Sequence, residues 1–138
     1  MQLDIPASEK PSLTLLDSEA DILADLALAC VHKSPVAARL LLQELDRAST
    51  ASAGELPDDV VTMGSLVVFR DEMTSETHSV ELVYPKDADM EAHRLSILTP
   101  IGAALIGMKR GSAIDWPNRR GVTRRLTIAD VHQPPCKD

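Results

Sequence analysis

The 138-residue chain is 44% hydrophobic and 25% charged with a formal net charge of −7, which excludes a wholly disordered polymer and argues against a general phosphate-binding surface. No charge-free run approaches the roughly 20 residues that cross a bilayer, and Met1–Lys10 has neither a basic start nor an apolar stretch, so the chain reads as soluble and cytoplasmic. Aromatic content of 2% implies an aliphatic core, and Cys30 and Cys136, far apart and outside any metal-ligand spacing, read as free thiols.

Charge is unevenly spread: residues 1–62 carry −7, residues 63–105 carry −4, and residues 106–138 carry +4. The first element in chain order is a helix over DSEADILADLALACVHK, where Ile22, Leu23, Leu26, Ala29 and Cys30 recur at three and four residue steps. Asp17 or Ser18 is the expected cap, and Asp17, Glu19 and Asp21 put negative charge at the positive end of the helix dipole. Ser34-Pro35 then opens a second helix, PVAARLLLQELDRA, stacking Ala37, Leu41, Leu45 and Ala48. Two helices of about 14 residues joined by so short a turn fold back antiparallel as a stubby hairpin about 20 Å long.

STASAGELPDD is small, polar and broken by Gly54 and Pro57, and is expected to be a linker. After it the period changes. SLVVFR, THSVELVYP, RLSIL, SAIDW and RRLTIADV read as five short strands separated by turn chemistry, which predicts a small, mostly antiparallel sheet. Between the third and fourth, TPIGAALIG reads as a two-turn helix: Thr99 caps it, Pro100 starts it and Gly107 stops it. Gly102 and Ala103 are small enough to let another surface approach. The class is therefore α+β, with a hairpin over 1–54, a linker over 55–62 and a sheet domain over 63–138.

ELDRA (Glu44–Ala48), PDDVVTMGS (Pro57–Ser65), LVYP (Leu82–Pro85) and PIGAALIG followed by GSAIDW together resemble the regulator of nucleoside diphosphate kinase family, a branch related to the Gre transcription elongation factors. The resemblance spans about Asp17 to Val131. It implies an N-terminal helical hairpin, a short coiled coil, joined to an FKBP-like C-terminal domain with one short helix. It also implies RNA polymerase as partner, docking near the secondary channel in competition with Gre-type factors, and an effect on nucleoside diphosphate kinase that is indirect. Direct contact with the kinase is the alternative. The start of the short helix, Leu98, Thr99, Pro100 and Ile101, is the expected contact. Leu98 stands where Gre factors place an acidic or amide residue, and PNRRG stands where relatives commonly carry a glycine pair.

Metal-assisted transcript cleavage would need carboxylates at the hairpin tip, beside a bound magnesium. The tip reads ACVHKSPVA, its nearest acids Asp25 and Glu44 being five or more residues away, so no cleavage and no enzyme activity is expected. His32 and Lys33 are the tip residues placed for contact with nucleic acid or polymerase. Arg119, Arg120, Arg124 and Arg125 form a basic end suited to a partner surface, with no recognition-helix pattern for sequence-specific DNA binding. Phe69, Tyr84 and Trp116 lie on different strands and read as packing, which argues against a prolyl isomerase pocket. His78, His93 and His132 share no ligand spacing, and neither metal nor cofactor is expected. The protein is expected to be a monomer.

Overall fold

The computed structural model describes residues 13–117 and 122–134. Strand β1 (Thr14–Leu16) runs directly into helix α1 (Asp17–Ala29). The predicted caps of this helix are absent, since Leu16 takes the N-cap position without a side-chain bond and Asp17 is already the first helical residue. Asp17 and Glu19 act instead as first-turn charges on the helix dipole. The chain reverses at Cys30, whose carbonyl accepts from the N–H groups of Lys33 (3.1 Å) and Ser34 (2.9 Å). Helix α2 (Pro35–Arg47) then starts on proline as the sequence indicates, although the Ser34 hydroxyl makes no capping bond.

Leu23 and Ala27 of α1 face inward with Ala37, Ala38, Leu41 and Glu44 of α2. Of the apolar residues whose spacing marked this helix, Ile22 is 52% exposed and Ala29 is exposed too, while Leu26 packs on the core. The stretch after α2 is not all linker. Ser49–Ala51 forms β2, which pairs in parallel with β1 from Thr14↔Ser49 to Leu16↔Ala51 and ties the base of the hairpin.

The remaining strands are β3 (Leu66–Asp71), β4 (Glu76–Val83), β5 (Arg94–Ser96), β6 (Ala113–Pro117) and β7 (Thr123–His132). They form one sheet in the order β5-β4-β3-β7-β6. All pairs are antiparallel except β4–β5, which is parallel. A register shift at Val68/Phe69 opposite β7 marks a bulge. Val67, Phe69, Leu82, Leu126 and Ile128 point from the sheet into the core.

Helix α3 (Pro100–Leu105) lies against α2, so the approaching surface anticipated for Gly102 and Ala103 includes the chain's own hairpin. Leu23, Ala27 and Leu41 of the hairpin belong to the same apolar cluster as Val61, Val67, Leu82, Ile97, Ala104 and Met108. Gly107 sits where these parts meet. Its φ of 76° suits glycine, its carbonyl accepts from Thr14 (3.0 Å), and its N–H donates to Val61 (2.9 Å). A Cβ there would crowd Leu13 and Leu15 at 3.0–3.1 Å. Among the described residues, no helix is long and apolar enough to cross a membrane.

Candidate functional site

The turn into α3 is built from backbone and two hydroxyls. Thr99 Oγ1 accepts from the Gly102 N–H at 3.0 Å and donates to the Ser96 carbonyl at 2.8 Å, while Ser96 Oγ accepts from the Leu98 N–H at 3.0 Å. Pro100 occupies the first helical position, where its missing N–H costs nothing. These bonds fix the four expected contact residues as one unit. Leu98 is half-buried and packs on the core, Thr99 and Pro100 are half-buried, and Ile101 is 37% exposed.

His32 and Lys33 are exposed at the hairpin tip. Leu28, Val31 and Val36 beside them are also exposed, giving the tip an apolar and basic surface. Of its two nearest acids, Asp25 is exposed on α1, and Glu44 is wholly buried, held by Arg47 Nε at 2.6 Å and Nη2 at 3.2 Å. Helix α2 connects this tip to the α3 turn: it starts at the first and packs against the second.

The basic end divides between roles. Arg119 and Arg120 lie outside the described residues. Arg124 is half-buried and its Nη2 donates to Asp71 Oδ2, while Arg125, the next residue of the strand, is exposed and pairs with Asp115 at 3.1 Å. Burial alone would raise the Asp71 carboxyl, but the Arg124 hydrogen bond and charge, with the N–H groups of Met73 and Thr74, hold it below its ordinary value. A depressed folded pKa contributes stability above the unfolded value near 3.8, lost as pH falls through the lower folded value. The penalty of Arg124→Met is therefore expected at neutral pH and should vanish toward pH 2, as thermal melts across that range would record.

Glu19 shows the opposite sign. Burial raises its carboxyl above the ordinary 4.5, only partly offset by the Met63 N–H that donates to it at 3.2 Å. Tyr84 is raised as well, by burial and by the Glu19 charge. A raised carboxyl gives stability that is full below 4.5 and is lost as pH rises through the folded value. Glu19→Gln cannot ionise and keeps an oxygen for Met63. It should melt higher than wild type at pH 7 and equal to it at pH 4; equal melting at both would remove Glu19 as a titrating link between hairpin and sheet.

Among the described residues, no group of three or more His, Cys, Asp or Glu side chains could hold a metal ion. His78 packs on Phe69 with ring centroids 5.4 Å apart. Sequence reasoning missed the burial of the Glu44–Arg47 pair and the Asp71–Arg124 tie. An i, i+3 Glu–Arg pair reads as a surface pair, and the second pair is separated by 53 positions.

The family described as "Transcription elongation factor, GreA/GreB, C-term" matches residues 56–133. The chain is similar to the "Regulator of nucleoside diphosphate kinase" of Escherichia coli, 34% identical over 126 residues, covering 91% of this chain and 93% of that one. It is also similar to "Transcription elongation factor GreA" of Azorhizobium caulinodans, 34% identical over 66% of this chain and 57% of that protein. Among solved structures it resembles "Prokaryotic transcription elongation factor GreA/GreB" from Nitrosomonas europaea, at 37% identity and a TM-score of 0.69, covering 89% of this chain and 99% of that one.

Proposed function

The chain belongs to the GreA/GreB C-terminal family of transcription elongation factors, and from that premise we propose that it is a non-catalytic regulator that binds RNA polymerase near the secondary channel and competes there with Gre-type factors. On this reading the sheet domain, residues 63–138, is the FKBP-like docking part, and the hairpin of residues 1–54 projects from it across the linker at 55–62. The division is one of role, since the two parts share a core. The protein acts as a cytoplasmic monomer. The observation that carries the proposal is the locked turn Leu98–Ile101, which presents Ile101 and Pro100 without needing to order itself on binding.

The absence of cleavage is supported by the tip. Transcript cleavage requires carboxylates free to hold a metal ion and a water. Here the tip offers Val31, His32 and Lys33, and Glu44 is buried under Arg47. An effect on nucleoside diphosphate kinase then follows through transcription. The name of the Escherichia coli relative favours a second reading, direct contact with the kinase, which pull-down of each partner separates.

The test is a backtracked elongation complex carrying bound GreA. Added protein should slow GreA-dependent cleavage and release no RNA by itself; magnesium-dependent release of short RNA in the absence of GreA would contradict the proposal. Ile101→Asp and Pro100→Ala should each weaken polymerase binding by about tenfold while the free chain melts within a few degrees of wild type. If both bind as wild type does, the contact surface lies elsewhere.

A further inference from the structure

A second surface lies on the outer edge of β4, away from the α3 turn and the hairpin tip. β5 pairs with β4 only through Glu81↔Arg94, Leu82↔Leu95 and Val83↔Ser96, whereas β4 begins at Glu76. Backbone groups along such a strand alternate in direction. The Leu82 N–H donates toward β3, to Ser65. On the other side the Glu81 N–H donates to His93, and the Val83 carbonyl accepts from Ile97. By the same alternation Thr77 and Ser79 turn their N–H and C=O groups outward, and among the described residues nothing receives them. The chain leaves the edge at His93, whose backbone is left-handed (φ 59°). Residues Glu76 to Val80 therefore have no neighbouring strand on that side, a free length of about 16 Å at ~3.3 Å per residue.

An open groove of about 520 Å³ follows this edge. Thr77, His78, Ser79 and Val80 all line it. Because successive side chains of a strand alternate faces, a groove touched by four in a row follows the edge, and Leu66 of β3 shows that it also reaches onto the sheet face beside β4. Met90, 73% exposed, and Leu66, 42% exposed, add apolar walls.

Charge selects the occupant. Glu76 and Glu81 bound the free segment of β4, and Asp89 and Glu91 adjoin the groove residue Met90 in the chain, against Arg94 and against Arg70, which stands opposite Thr77 on β3. Arg94 is shared with Glu81 at 4.0 Å, and among the described residues Glu76 and Glu91 have no ion pair. A second copy pairing antiparallel through the same edge would set these acids against each other, which disfavours self-association. We propose that the open edge of β4 at Thr77–Val80 binds an extended, basic segment of a partner protein, which adds as a sixth strand to the sheet, bonds to Thr77 and Ser79, and seats an apolar side chain beside Met90. Backbone bonds supply the attachment, and the acidic rim supplies the preference for lysine and arginine.

The test uses the full chain and a labelled seven-residue peptide of alternating lysine and valine. Fluorescence polarisation should show binding, and NMR-detected amide exchange at Thr77 and Ser79 should slow by about tenfold or more on saturation while Leu82, already bonded, is unchanged. A glutamate–valine peptide of equal length should bind at least about tenfold more weakly, and Glu91→Lys, at an exposed turn, should weaken the lysine peptide without shifting the melt. No binding, equal binding of the acidic peptide, or binding that leaves Thr77 and Ser79 exchanging as before overturns the proposal. So does dimerisation of the free chain that protects those same amides.

Discussion

Gly102→Ala is expected to cost about 3 kcal/mol or more, at the upper end of what overpacking does, because the crowding is against backbone. A Cβ at this position would lie inside van der Waals contact with the Ser96 carbonyl oxygen, 2.9 Å from Thr99 Oγ1 and 3.0 Å from the Ile97 Cα. None of these is the far end of a flexible side chain. Ser96 and Thr99 are also the groups that hold the turn, so relief of the clash must break the bond from Gly102 to Thr99 or the bond from Thr99 to Ser96. With roughly 3–5 °C lost per kcal/mol for a chain of this length, the melting temperature should fall by on the order of 10 °C. Gly54→Ala, where no atom lies within 4 Å, is the control and should stay within about 1 kcal/mol of wild type. A Gly102→Ala melt that matches the control would mean that α3 can shift freely, and the locked turn could not then be a preformed contact.

Much of the fold was legible because local chemistry and global packing agree. Ser34-Pro35 and Thr99-Pro100 mark helix starts by proline placement, and both helices begin there. All five predicted strands of the main sheet form, since each carries enough β-branched and apolar residues to declare itself. The β1–β2 pair was not legible. Three-residue strands have no measurable alternation, and their parallel partnership spans the whole hairpin. The parallel β4–β5 contact was hidden for a related reason: its connection runs through the short helical turns Pro85–Asp87 and Met90–Ala92 and lacks the long helix that usually signals a crossover.

At the candidate site, the sequence located the Thr99 cap correctly, since an N-cap bond spans only three residues. It could not distinguish Arg124 from Arg125. Adjacent strand residues face opposite ways, and only the fold decides that Arg124 meets Asp71 while Arg125 stays exposed beside Asp115. Ile22 was misplaced because an apolar residue at helical spacing fits the inner face as well as the flank, and Leu23 and Ala27, with Ala20 and Leu26 beside them, fill the inner face.

Arg47→Met is expected to cost about 3–5 kcal/mol, because it leaves the Glu44 carboxylate buried without its cation. The Glu44 side chain has no exposed surface, and Arg47, only 16% exposed, meets both of its oxygens, through Nε at 2.6 Å and Nη2 at 3.2 Å. A similar pair on an open helix surface would contribute about 0.3–0.5 kcal/mol, so the size of the loss separates a desolvated pair from a surface one. Glu44→Leu combined with Arg47→Met removes both charges and keeps apolar volume, and should recover most of the stability lost in Arg47→Met alone. Urea melts of the two single variants and the double give the coupling directly. The consequence reaches function through α2, which carries the pair near its end, begins at the hairpin tip and packs on α3. Arg47→Met should therefore compete poorly with GreA for the elongation complex, whereas the double variant should compete as wild type does. If Arg47→Met melts within about 1 kcal/mol of wild type, the pair is worth no more than an exposed one.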